Sequence, residues 1–147
     1  MDIPLLITKL YLPTLRARRV ARPRLFARLD ALLSSKLALV SAPAGYGKTT
    51  LVADWLDGLA QRRDIVAPTA AWLSLDESDN DPATFLAYVI AALQDIYPEA
   101  GGRAQAGLGG PSPPRLEPLI ISLINDVARA PSEGLLVLDD YHVIENE

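Results

Sequence analysis

Ala42-Pro43-Ala44-Gly45-Tyr46-Gly47-Lys48-Thr49-Thr50 brings small residues, two glycines, a lysine and two hydroxyls into one short stretch. Residues of these types in this order can wrap a phosphate. Small residues let backbone N–H groups close in on the anion, and a lysine at the start of the next helix can reach the β- and γ-phosphates of a nucleotide. Thr49 can offer its hydroxyl to Mg²⁺. The positions expected to line the phosphates are Ala42, Gly45, Tyr46, Gly47, Lys48, Thr49 and Thr50, with Ala42 where the G-x-x-x-x-G-K-[ST] pattern has its first glycine. Such a loop needs a strand in front and a helix behind, whose N-terminus adds its positive dipole end. An apolar run, Leu37-Ala38-Leu39-Val40, supplies the first, and Leu51, Val52, Trp55, Leu56 and Leu59 repeat at helical spacing for the second.

A second constellation lies near the other end. Leu135-Leu136-Val137-Leu138-Asp139-Asp140 is a wholly apolar run closed by two carboxylates, which reads as a buried parallel strand with acids at its carboxyl end. This is a Walker B pattern. Asp139 is expected to hold Mg²⁺, directly or through water, and Asp140 to orient or polarise an attacking water. Because ligands of open α/β sheets bind outside the carboxyl ends of strands, the acids and the glycine loop should face one crevice.

Two further groupings can be read in more than one way. Asp76-Glu77-Ser78-Asp79-Asn80-Asp81 superficially resembles a calcium loop, but Asp81 stands where the invariant glycine belongs and Ala87 where the closing glutamate belongs, so an EF-hand is rejected. A capped helix start is the plainer reading; a place just after a strand also allows a role near the nucleotide or at a domain contact. His142, the lone histidine, can sense a nucleotide or simply pack beside a strand end.

The elements that must position these residues follow from punctuation and periodicity. Pro4 and Pro13 keep residues 1–22 extended, and Pro23 opens a helix carrying Leu25, Phe26, Leu29, Leu32 and Leu33 on one face. The glycine-loop helix runs from about Gly47 to Ala60, and Thr69 to Leu75 reads as a second strand. Asp81 and Pro82 start a helix with Phe85, Leu86, Val89, Ile90, Leu93 and Ile96 at helical spacing. Residues 98–114, rich in Gly, Ala and Pro, read as a mobile surface connection. A last helix carries Leu116, Leu119, Ile120, Leu123, Ile124 and Val127 before the Walker B strand. Such alternation predicts a three-layer α/β fold with a mainly parallel sheet.

Composition narrows the class. The 147 residues are half hydrophobic, enough for one core, and contain no cysteine, which excludes disulfides and thiolate metal sites. No basic region precedes the first apolar residues, and no apolar run approaches the roughly 18 residues of a membrane span, so a soluble, cytoplasmic protein without membrane contact is expected. Residues 1–36 carry eight Lys/Arg against two Asp, and the remainder six against sixteen, giving +6 and −10 for the net −4. The basic arm includes Arg16, Arg18, Arg19, Arg22, Arg24 and Arg28. It can serve nucleic acid, a nucleotide or an acidic neighbour, or form a solvated face; no aromatic residues are interleaved for base stacking.

Five motifs, in order along the chain, resemble one family: Thr8-Lys9-Leu10-Tyr11-Leu12-Pro13, Val20-Ala21-Arg22-Pro23-Arg24-Leu25, the loop from Ala42 to Thr50, Trp72-Leu73-Ser74-Leu75-Asp76 with Asp79-Asn80-Asp81-Pro82, and Leu138-Asp139-Asp140-Tyr141-His142. They are similar to the amino-terminal part of the MalT-like, large ATP-binding LuxR-type transcriptional regulators, in which alanine at the first loop position is usual. The resemblance implies a P-loop NTPase of the STAND type. In such a protein ATP binding and a small-molecule inducer drive self-association, slow hydrolysis resets the state, and a carboxyl-terminal helix-turn-helix absent from this chain binds DNA. It further implies residues 1–22 as an extended basic arm and 23–147 as a partial ATPase domain, with Arg22 and Arg24 where related proteins hold the adenine end. The Thr69 to Leu75 strand would pair with Walker B, whereas the strand before the glycine loop would lie between two strands that follow Glu147, so the fold is expected to be truncated before its last core strands. A metabolic P-loop kinase and a nucleotide-free module with a relic loop are the other readings. The few arginines beyond Arg63, namely Arg103, Arg115 and Arg129, do not cluster as a kinase lid would need, and intact Lys48, Thr49, Asp139 and Asp140 speak against a relic.

Overall fold

Two helices of this chain begin where a proline fixes φ in the first turn, one of them with a side-chain acceptor for an otherwise orphaned N–H. Pro23 occupies the first turn of α1 (Pro23–Asp30), and Pro82 that of α3 (Pro82–Ile96), whose N-cap Asp81 accepts from the Thr84 N–H at 2.9 Å. The remaining helices are α2 (Lys48–Gln61), α4 (Gly102–Leu108) and α5 (Leu116–Ala128); the strands are β1 (Thr69–Ser74) and β2 (Gly134–Asp139). The computed structural model describes residues 3–15 and 20–145, so Arg16, Arg18 and Arg19 of the basic arm lie outside the described residues. The chain divides into two units, Met1–Tyr11 with Pro68–Glu147, and Leu12–Ala67.

The larger unit is mixed α/β with a small parallel sheet. β1 and β2 pair in parallel from Thr69 opposite Gly134 to Ser74 opposite Asp139, as expected of the strand that carries the acids and its neighbour. The connection between them contains α3, α4 and α5. Ala71, Leu73 and Leu75 of the β1 segment pack on Tyr88, Ala92 and Ile96, one face of α3. The other face, with Leu86 and Ile90, packs on Ala104, Leu108 and Leu123 of α4 and α5. Shared between two apolar clusters, α3 is the helix around which the unit is organised.

Two expectations change here. Residues 98–114 are not merely a surface connection: α4 forms within them, with Ala104 fully buried. Its start is made by Gly101 at φ +80, where any Cβ would sit 2.8 Å from Ile90, while the Gly101 N–H donates to Asp126 at 2.9 Å. The amino-terminal segment is likewise not simply extended. Ile7–Leu10 forms a 3₁₀ turn, and Leu5 and Leu10 pack against the β1–α3 cluster.

In the smaller unit, Asp30 at the end of α1 accepts from the Trp55 indole N–H and from Arg62 of the residues after α2, both at 2.9 Å. The strand expected over Leu37 to Ser41 does not form. Leu37 and Leu39 are 84% and 85% exposed, and no strand pairs with this run among the described residues. An apolar run supplies only half of a strand; without a neighbour's N–H and C=O groups to complete the ladder, extended backbone has no reason to order.

Candidate phosphate-binding loop and acidic strand end

The loop before α2 turns through two glycines in the left-handed region, Gly45 at φ +84 and Gly47 at φ +76. L-residues with side chains rarely adopt this conformation, so the glycines are required by backbone shape. Gly47 is the N-cap of α2, and its C=O accepts from Leu51 at 2.9 Å. No side-chain hydrogen bond caps this end of the 14-residue helix and no acid lies in its first turn, so its positive dipole end meets no carboxylate from its own first turn. Lys48 folds back across the loop to place its ammonium 2.5 Å from the Ala42 carbonyl. Arg22 reaches the same loop from the start of α1: its guanidinium donates to the Tyr46 C=O at 3.5 Å and lies 3.7 Å from where a Cβ on Gly47 would stand.

Thus Ala42, Tyr46, Gly47 and Lys48 are brought together with Arg22, 24 residues away from Tyr46. Thr49 is half-buried in the first turn of α2, Thr50 exposed beside it, and Gly45 open on its outer side. Arg24 is exposed on α1. This donor set, two cations around glycine N–H groups and a helix N-terminus, fits the oxygens of a phosphate.

Asp139 and Asp140 belong to the other unit. Asp139 ends β2, half-buried, with its carboxylate accepting from the Asp140 N–H at 3.0 Å, while its C=O accepts from Leu75 at the same distance. Asp140 has φ +59, alone among described non-glycine residues in that region, and its side chain is exposed at the start of a 3₁₀ turn, Tyr141–Val143. His142 sits exposed in this turn. The described residues contain no cluster of three or more His, Cys, Asp or Glu suited to a metal.

Beside these acids lies a charged node that sequence reading missed. Lys9, only 7% exposed, places its ammonium 2.5 Å from Asp79, 3.1 Å from Asp76 and 4.1 Å from the centre of the Tyr88 ring. Burial alone would lower the Lys9 pKa, but hydrogen bonds and charge from Asp79 and Asp76 outweigh it and hold the ammonium above its ordinary value. The Asp76 carboxyl is held below the usual range, chiefly by the Ser78 hydroxyl, against desolvation, and also by Lys9. Asp79 accepts the Asp76 N–H at 2.8 Å in a reciprocal capping box, and its second oxygen, Oδ1, is buried without a partner. The capped-turn reading of this acidic run is therefore the one the structure bears out. Its link to Lys9 spans 70 positions, which no local pattern could signal.

No family model matches the chain. It is 36% identical over 142 residues, 97% of its length, to the HTH-type transcriptional regulator MalT of Cronobacter sakazakii, and 39% identical over 143 residues to that of Serratia proteamaculans. The MalT of Yersinia enterocolitica is 35% identical over 143 residues. The chain spans about 15% of the length of these curated relatives. None of the described helices is long and apolar enough to cross a membrane.

Proposed function

Because this chain belongs with the MalT-like transcriptional regulators over the stretch of them that it spans, we propose that it is their ATP-binding switch module, part of a three-layer STAND-type P-loop ATPase domain. The observation that carries the reading is the glycine loop: two left-handed glycines, Lys48 crossing to Ala42, Arg22 on the loop backbone, and an uncapped helix N-terminus without acids. Bound ATP with Mg²⁺ supplies a hydrolysable γ-phosphate and the cation that neutralises its charge.

The chain's own residues divide the work. The N–H groups of Gly45 to Thr49 and the Lys48 ammonium bind phosphate oxygens, and Arg22 adds a second cation while fixing the loop backbone at Tyr46. Arg24 extends the basic edge toward the nucleoside. Thr49 and Asp139 would supply oxygens to Mg²⁺, and Asp140 would orient or polarise the attacking water. Slow hydrolysis then serves as a reset, with self-association, the inducer and DNA handled by the full-length protein in the cytoplasm. The relatives' being transcriptional regulators supports the regulatory part of this reading. The same relationship does not favour a metabolic kinase.

The test is titration of the full-length regulator and its Lys48→Ala variant with ATP and Mg²⁺. A charge-assisted contact to phosphate is worth about 1.5–3 kcal/mol, so affinity should fall by roughly one to two decades. Equal affinities would remove the phosphate assignment.

A further inference from the structure

We propose that Asn80 is a positioning residue for the acids at the end of β2, clamping the chain that follows them. This rests on the nucleotide-site reading above. β2 ends at Asp139, Asp140 reverses the backbone in the left-handed region, and the 3₁₀ turn closes on itself through Val143 N–H to Asp140 C=O at 3.0 Å and Ile144 N–H to Tyr141 C=O at 3.1 Å. Those bonds shape the turn but do not register it against the sheet.

Asn80 does so from 63 positions away. Its amide donates to the Val143 C=O at 2.8 Å, and its carbonyl accepts the Glu145 N–H at 2.7 Å, so one side chain reads a donor and an acceptor of the passing backbone together. The same amide also donates to Glu77 C=O at 3.2 Å, which locks the side chain to its own turn. That turn is fixed in its place. Asp79 next door is fully buried against Lys9 and the Asp76 N–H, and the Leu75 N–H just before the turn donates to the Asp139 C=O. Asp139 and Asp140 are thus held from both sides: upstream by the β1 ladder, downstream by Asn80. A carboxylate that must meet a water and a metal within a few tenths of an ångström needs such support, since displacement of a reacting group by about 1 Å can cost about 100-fold.

The experiment compares full-length wild type with Asn80→Ala and with Asp81→Ala. The Asp81 carboxylate caps α3 at the same corner, accepting from the Thr84 N–H and hydroxyl rather than from residues 141–145, so its variant controls for simple loss of stability. Hydrogen exchange of nucleotide-free protein should show residues 143–145 exchanging at least tenfold faster in Asn80→Ala, with residues 135–138 still protected, and neither effect in Asp81→Ala. Turnover of bound ATP should fall about 10- to 100-fold in Asn80→Ala while ATP affinity stays within about twofold. Unchanged exchange at 143–145, or faster exchange with unchanged turnover, would overturn the positioning role. Wild type that binds no ATP would overturn the nucleotide reading itself and this inference with it; that failure is distinguishable because it appears in wild type, before any variant is compared.

Discussion

Lys9→Met removes a charge while keeping an apolar stem of similar length against the Tyr88 ring. What remains is Asp79, whose side chain is fully buried, facing the Asp76 N–H and nothing cationic, with Oδ1 already without a partner. Breaking a buried pair from one side costs about 3–5 kcal/mol because the other charge is left uncompensated. Against a typical domain stability of about 5–15 kcal/mol, that is roughly a fifth or more of the total. Adding Asp79→Asn removes the stranded charge yet keeps an acceptor for the Asp76 N–H, so the double variant should be more stable than Lys9→Met alone. The measurement is denaturant unfolding of wild type, both single variants and the double at neutral pH, followed by fluorescence in a Trp55→Phe background that leaves Trp72 as the reporter, with a coupling of about 1–3 kcal/mol expected. Strictly additive penalties would refute the claim that Lys9 acts through Asp79.

The pH dependence of this node has a definite sign. Lys9 is raised in the folded state, so its contribution is complete below the ordinary lysine value of 10.5 and is lost as pH rises through the raised one. Asp76 is lowered, so its contribution is present above the ordinary value of 3.8 and is lost as pH falls through the lowered one.

Three other outcomes are expected. In full-length protein, Asp140→Asn should retain ATP but hydrolyse it at least tenfold more slowly in single-turnover assays, while Asp139→Asn should weaken the Mg²⁺ dependence of binding; an Asp140→Asn protein hydrolysing at the wild-type rate would end that division of roles. Gly134→Ala places a Cβ 2.3 Å from Ile96 and 2.9 Å from the Tyr97 hydroxyl at the start of β2, and should cost about 1–3 kcal/mol by thermal or urea unfolding. Amides of residues 37–41 should exchange rapidly in this chain whereas those of 71–73 are protected; cooperative protection of both would mean that the run has found a strand partner.

Much of the fold was legible because it depends on local rules. The Asp81–Pro82 start of α3, the helix after Gly47 and the apolar strand ending at Asp139 each follow from a few adjacent residues. What escaped depends on distant partners. The run from Leu37 to Ser41 has strand composition but no ladder, α4 hides in a Gly- and Ala-rich stretch whose burial comes from Ile90 and Leu123, and Lys9, within the arm read as extended and basic, carries no local sign of its burial. At the candidate site, spacing pointed to the glycine loop itself, whereas the contact of Arg22 with its backbone and the grip of Asn80 on residues 143–145 needed three-dimensional information.

The backbone at Asp140 also decides which substitutions there can be interpreted. At φ +59 and ψ +34 an ordinary L-residue is penalised by about 1–2 kcal/mol, whereas glycine, asparagine and aspartate are tolerated. An alanine or glutamate scan at this position would therefore mix conformational strain with loss of the carboxylate, and a slow variant would say little about chemistry. Asparagine keeps the shape and the turn while removing the charge, and glycine keeps the turn while removing the side chain. Compared with each other, these two separate what the acid does from what the bend does.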